Sequence, residues 1–180
     1  MSKIILVLGG ARSGKSSYAV ECAKKFRKKT AFIATAEATD EEMKRRIKLH
    51  KLSRPRQWKL IEEGKEISSV LSGLKDKYGV ILIDCVGLLI SNLMAEGLKD
   101  RDIEKKIKEF ITSMRRSAST LILVSNDVGS GVVPEDSLAR RFRDVIGFSN
   151  QMIAKKADEV ILMQAGIPLY IKGREKICKN

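Results

Sequence analysis

Short unbroken apolar runs alternate along this chain with longer stretches whose apolar residues recur every three or four positions. The runs Ile4 to Leu8, Thr30 to Thr35, Val80 to Asp84 and Leu121 to Val124 predict strands buried on both faces, because a half-exposed strand would alternate with polar residues. The intervening stretches predict helices at Lys15 to Phe26, Glu66 to Asp76, Val86 to Met94 and Asp100 to Arg115. Another helix is expected from Thr39, which with Glu42 makes a capping signal, to about Leu52, before Arg54-Pro55. Pro134 suits the first turn of a long helix reaching about Lys156. Trp58 to Ile61 is a short extended piece. Glu159 to Gln164 and Pro168 to Lys172 form a closing hairpin around Ala165-Gly166, and Gly173 to Asn180 is a loose polar tail.

Strand–helix alternation of this kind implies a mostly parallel sheet covered on both faces. At 180 residues the expectation is one domain, 1–180. In such sheets ligands bind at the C-terminal strand ends. Four polar pieces fall there: the segment after Leu8, Ala34-Thr35-Ala36, Asp84 and Asn126-Asp127.

The first of these is Gly9-Gly10-Ala11-Arg12-Ser13-Gly14-Lys15-Ser16, the full P-loop pattern between a strand and a helix. The glycines let successive backbone N–H groups converge on one anion, and the following helix adds its N-terminal partial charge. Lys15 reaches the outer phosphates, and the Ser16 hydroxyl is a Mg²⁺ ligand. The fold class is therefore α/β: a P-loop NTPase-like three-layer sandwich with a mostly parallel central sheet and a C-terminal hairpin. Asp84, ending an apolar strand downstream, is the candidate carboxylate on the metal side, and the same residue could also cap the following helix.

Charge sharpens the picture. Lys and Arg number 35 against 22 acids, a net +13, which favours polyanionic partners. Eight cations, Lys44, Arg45, Arg46, Lys48, Lys51, Arg54, Arg56 and Lys59, share one stretch with no acid among them. That local concentration favours a phosphate-handling site over a nucleic-acid surface, and aromatic residues are only 5%, little material for base stacking. No apolar run is long enough to span a membrane. Met1-Ser2-Lys3 leads directly into the first strand, and the cysteine number is odd, so a cytoplasmic location is expected.

His50, the only histidine, lies within the cationic stretch. Surrounding cations disfavour imidazolium, and a neutral imidazole is a nucleophile or a base. From the residues alone it stands equally as a packed helix residue beside Ile47. Two other readings stay open on the same ground: a monofunctional P-loop kinase of a small molecule, and a basic nucleic-acid-binding ATPase.

The P-loop, Arg46-Ile47-x-x-His50-Lys51-x-x-Arg54-Pro55-x-x-Trp58, Glu62, Asp84-Cys85, Ser91-Asn92-Leu93, Asn126-Asp127-Val128-Gly129, Gly131-Val132-Val133-Pro134 and Asn150-Gln151 together resemble the bifunctional adenosylcobinamide kinase / adenosylcobinamide-phosphate guanylyltransferase family of cobalamin biosynthesis. The resemblance runs from Ile4 to about Lys172. It implies that a nucleoside triphosphate, ATP or GTP, phosphorylates adenosylcobinamide. It further implies that GTP gives GMP to His50 and then to adenosylcobinamide phosphate, yielding adenosylcobinamide-GDP. Nucleotide contacts are implied at Gly9 to Ser16, at Ala34, Thr35 and Ala36, at Lys51, Leu52, Ser53 and Arg54, and at Glu62 and Asp84. A homo-oligomer, a trimer, is implied as well, without nucleic acid as a partner. The chain departs from the family pattern at Asp127, commonly Glu, and at Val86-Gly87, where Leu-Thr or Ile-Thr is usual.

Overall fold

The computed structural model describes residues 3–37, 41, 42, 44, 45, 54–74 and 77–173. Seven strands form one sheet: β1 Ile4–Gly9, β2 Thr30–Ala34, β3 Lys59–Glu62, β4 Val80–Asp84, β5 Thr120–Asn126, β6 Glu159–Gln164 and β7 Ile167–Lys172. Their order is β3-β2-β4-β5-β1-β6-β7. All neighbours are parallel except β6 and β7, the closing hairpin. At its turn, Ala165 and Gly166 both take positive φ (50° and 82°), as the twist of a two-residue hairpin demands.

Among the described residues, five helices can be traced from end to end: α1 Lys15–Lys25, α2 Ile67–Gly73, α3 Val86–Ala95, α4 Asp100–Arg116 and α5 Ser137–Lys156. Glu41, Glu42, Lys44 and Arg45 are also helical. The expected Thr39 cap, and His50 with Ile47 beside it, lie outside the described residues.

Alternate side chains of the central strands enter two separate cores. Ile4, Leu6, Ile81, Ile83, Leu121 and Leu123 pack against α2, α3, α4 and α5. Ile5, Val7, Phe32, Leu82, Ile122 and Val124 pack against Ala19, Val20 and Ala23 of α1. A strand covered on both faces has no solvent face, so its sequence is continuously apolar. Helix α4 shows the complementary pattern: Ile103, Ile107, Phe110, Ile111 and Met114 are buried along one stripe.

Helix α5 begins later than its sequence suggests. Pro134 and Glu135 precede it, and Asp136 is the N-cap, its carboxylate accepting from Ala139 N at 2.7 Å. A proline tolerates the first turn, whereas a capping carboxylate satisfies an N–H that would otherwise lack a partner, and here the cap sets the boundary. Strand β5 also extends beyond Leu121–Val124 on both sides, because Thr120 and Asn126 keep the ladder with their neighbours.

Candidate functional site

The parallel register brings the C-terminal strand ends to one edge. Glu62, Ala34 and Asp84 stand side by side on β3, β2 and β4. Further along, Asn126 of β5 is level with Gly9 of β1.

After Gly9 the chain turns through Arg12 at φ 55° and Gly14 at φ 90° into α1. The left-handed conformation at Gly14 suits glycine, and the loop packs beside the hairpin turn, Gly166 Cα standing 3.4 Å from where a Cβ would be. The hairpin turn buttresses this loop directly, because Gly166 N donates to Ser13 O at 3.1 Å. Ser13 is buried, and its Oγ finds no hydrogen-bond partner among the described residues. Lys15 Nζ donates to Gly10 O at 3.0 Å, folded across its own loop. Ala11 to Ser17 and Asn126 line a cavity of about 530 Å³. Nucleotide-sized ligands occupy pockets of this order.

The neighbouring strand ends are locked by buried polar groups. Thr35 Oγ1 donates to Cys85 O at 2.7 Å and accepts from Cys85 N at 2.6 Å, while Thr35 N donates to Asp84 O. Asn92 Nδ2, from α3, donates to Thr35 O at 2.8 Å and Gly64 O at 3.1 Å. Glu63 N donates to Ala34 O. The segments carrying Ala34 to Ala36, Glu62 and Asp84 are thus fixed relative to one another. The Asp84–Cys85 peptide is cis. Cys85 is no nucleophile at neutral pH, since burial, and secondarily the Asp84 charge, pushes its thiol up to about 12.

Arg54 joins this edge. Its guanidinium stacks on the Phe32 ring, 3.7 Å from the centroid. Burial pulls its pKa down, and the charges of Asp84 and Glu62 push it back up. Its Nε and Nη1 are buried without a hydrogen-bond partner among the described residues. His50, Lys51, Leu52 and Ser53 lie outside the described residues.

The oxygen groups of this edge that could hold a divalent cation are the Ser16 hydroxyl and the Asp84 carboxylate. These are hard oxygen ligands of the kind that Mg²⁺ takes together with phosphate oxygens and water. Among the described residues no cluster of three His, Cys, Asp or Glu forms an all-protein metal cage.

Asn126 in the cavity wall was among the polar strand-end pieces picked out by the sequence, whereas the Gly166 tie to Ser13 did not stand out there. The position of Asn126 after an apolar strand was a signal; a turn amide meeting a loop carbonyl has none. No helix among the described residues is long and apolar enough to cross a membrane.

The sequence pattern of the cobinamide kinase / cobinamide phosphate guanyltransferase family matches residues 5–171. The bifunctional adenosylcobalamin biosynthesis protein CobU of Escherichia coli is 37% identical over 94% of this chain and 99% of its own length. CobU of Salmonella typhimurium is 36% identical over 94% of this chain and 99% of its length. The bifunctional protein CobP of Pseudomonas aeruginosa is 36% identical over 93% of this chain and 96% of its length. Among solved structures, the RadB recombinase aligns with 97% of this chain and 82% of its own, at a TM-score of 0.52 and 14% identity, a likeness of fold alone.

Proposed function

We propose, from the premise that this chain belongs to the cobinamide kinase / cobinamide phosphate guanyltransferase family of transferases, that one strand-end edge serves two successive transfers. In the first, a nucleoside triphosphate, ATP or GTP, phosphorylates the hydroxyl of adenosylcobinamide. In the second, GMP passes from GTP to adenosylcobinamide phosphate, giving adenosylcobinamide-GDP and pyrophosphate. The observation that carries the reading is the P-loop cavity, open beside Asn126, in a chain matched along nearly its whole length by this family.

Gly9, Gly10, Ala11, Arg12, Ser13 and Gly14 offer backbone donors to the phosphates, and Lys15 releases Gly10 O to reach them. Ser16 and Asp84 would hold Mg²⁺, which when bound supplies charge neutralisation at the phosphates. Ala34, Ala36, Glu62 and Arg54 form the nucleotide's other wall, with buried Thr35 fixing Ala34 and Ala36 from behind and the unpartnered Arg54 donors supporting that assignment. Lys51, Leu52 and Ser53 belong to it by their place in the motif.

For the second transfer the nucleophile is His50. A lone pair of its neutral imidazole forms a bond to the α-phosphorus of GTP, and the bridging P–O bond breaks with its electron pair going to pyrophosphate. A phosphate oxygen of the acceptor then attacks the same phosphorus, and the imidazole leaves. Two displacements through a covalent adduct replace one difficult step. The support is that His50 is the chain's only histidine, in a cationic stretch whose pattern resembles the guanylyltransferase signature.

Incubation with GTP labelled at either the α- or the γ-phosphate tests this. Label retained on the wild-type protein from the α position alone, acid-labile and alkali-stable, is expected, and His50→Asn loses it while keeping cobinamide phosphorylation. Protein-bound GMP in the Asn variant would assign the nucleophile elsewhere.

A further inference from the structure

The P-loop cavity is sized for a nucleotide and leaves no room for a macrocycle, so a corrinoid acceptor has to rest on the surface bordering it. One border is the loop between β5 and α5. It is continuous with the cavity: Asn126 lines the wall, and Asp127 N donates to Gly9 O at 3.0 Å. Beyond that anchor the loop displays Val128, Val132, Val133 and, in the first turn of α5, Leu138. Val132 is 95% exposed, and Val133 and Leu138 are each 58% exposed. Single exposed apolar residues are ordinary, but several on the one loop that leads out of the wall of a substrate cavity mark a binding surface.

The loop is also held in place. Arg140 Nη1 donates to Pro134 O at 2.9 Å and Glu135 O at 2.6 Å, and Asp136 caps α5. Its charge is opposite to that of the rest of the chain. Between Asn126 and Leu138 stand Asp127, Glu135 and Asp136 without one Lys or Arg, in a protein of net +13. Such a segment repels a nucleotide and suits a cationic ligand rimmed with amide N–H donors and methyl groups, which describes adenosylcobinamide.

We propose that this loop seats the corrin ring, Val132, Val133 and Leu138 taking its apolar edge and Asp127 and Glu135 its amide donors, while the tethered hydroxyl or phosphate reaches into the P-loop cavity. The proposal rests on the family reading above and adds to it where the acceptor binds.

The test uses Val132→Ser/Val133→Ser and Val132→Lys, changes at exposed positions that leave the core intact. KM for adenosylcobinamide and for the nucleotide is measured in the kinase reaction, cobinamide binding by equilibrium dialysis, and assembly by sedimentation velocity. The double variant is expected to raise the cobinamide KM and dialysis constant about tenfold, what one buried valine is worth. The lysine variant raises them further, with nucleotide KM, kcat at saturation and sedimentation unchanged. Unchanged cobinamide values in both variants, with the wild type active, overturn the proposal and leave the family reading standing. A parallel rise in nucleotide KM, or a shift to smaller species, makes the loop a structural or subunit contact and overturns it too. A wild-type protein that neither binds nor phosphorylates cobinamide overturns the family reading and this proposal with it.

Discussion

Replacing Thr35 by Val tests whether polar locking, not packing, holds the strand ends together. Thr35 is fully buried, and its Oγ1 makes both hydrogen bonds to the Cys85 backbone, as donor at 2.7 Å and acceptor at 2.6 Å. Valine has the same shape and is more apolar, so a packing argument alone predicts no loss. Cys85 O keeps a second partner, Leu89 N at 3.2 Å, but Cys85 N is left without its acceptor. The lost bond and the stranded buried N–H together cost about 2–4 kcal/mol. For a chain of this length that lowers Tm by about 5–15 °C. Thr35→Ser keeps both bonds and gives up one methyl, about 1 kcal/mol. Thermal melts followed by circular dichroism should therefore rank wild type above Thr35→Ser above Thr35→Val. A valine variant that melts at or above the serine variant refutes the reasoning, and the Asp84 edge is then held by packing.

Lys15→Ala should leave the melting temperature unchanged and lower both transfers on the order of a hundredfold, as expected when a positioned charge at a phosphate is removed; EDTA should abolish both in the wild type, and activity surviving either treatment removes that group from the mechanism. Cys85 gives a pH signature. Its folded pKa, pushed up to about 12, lies above the ordinary 9.0, so an unfolded chain releases the thiol proton first. Stability is therefore full below about pH 9 and falls as pH climbs from there toward 12. Urea midpoints across that window should decline less steeply for Cys85→Ser than for wild type.

What could be read from sequence divides by range. Buried strands announce themselves because both faces are covered, and the P-loop because eight consecutive residues carry its chemistry. The acidic strand end at Asp84 and the hairpin around Ala165-Gly166 were legible for the same local reason. The start of α5 was not, since Pro134 and Asp136 both signal a helix start and only the bond to Ala139 N decides between them. Nor were the contacts of Asn92 with Thr35 and Gly64, or of Gly166 with Ser13. Each joins groups far apart in the chain, with a backbone atom as one partner, and backbone atoms leave no mark on a sequence. His50 and Lys51 to Ser53 lie outside the described residues, so their roles rest on the motif.

Gly87 has a packing role that ties the cavity to the loop between β5 and α5. A Cβ on Gly87 would stand 3.2 Å from Ile146 Cδ1 and 3.4 Å from Asn126 Cγ and Nδ2. The N-terminus of α3 therefore sits close against α5 and the back of Asn126, where a threonine would have to push Ile146, itself buried, aside. Asn126 is held from the same helix, since Asn150 Nδ2 donates to its carbonyl at 2.9 Å and Asn150 Oδ1 accepts from Ser125 Oγ at 2.6 Å. One turn into α5, Arg140 holds the loop that displays Val132 and Val133. A single helix thus positions both the Asn126 wall of the nucleotide cavity and the loop beside it. Gly87, with no side chain, leaves the room in which that helix comes this close.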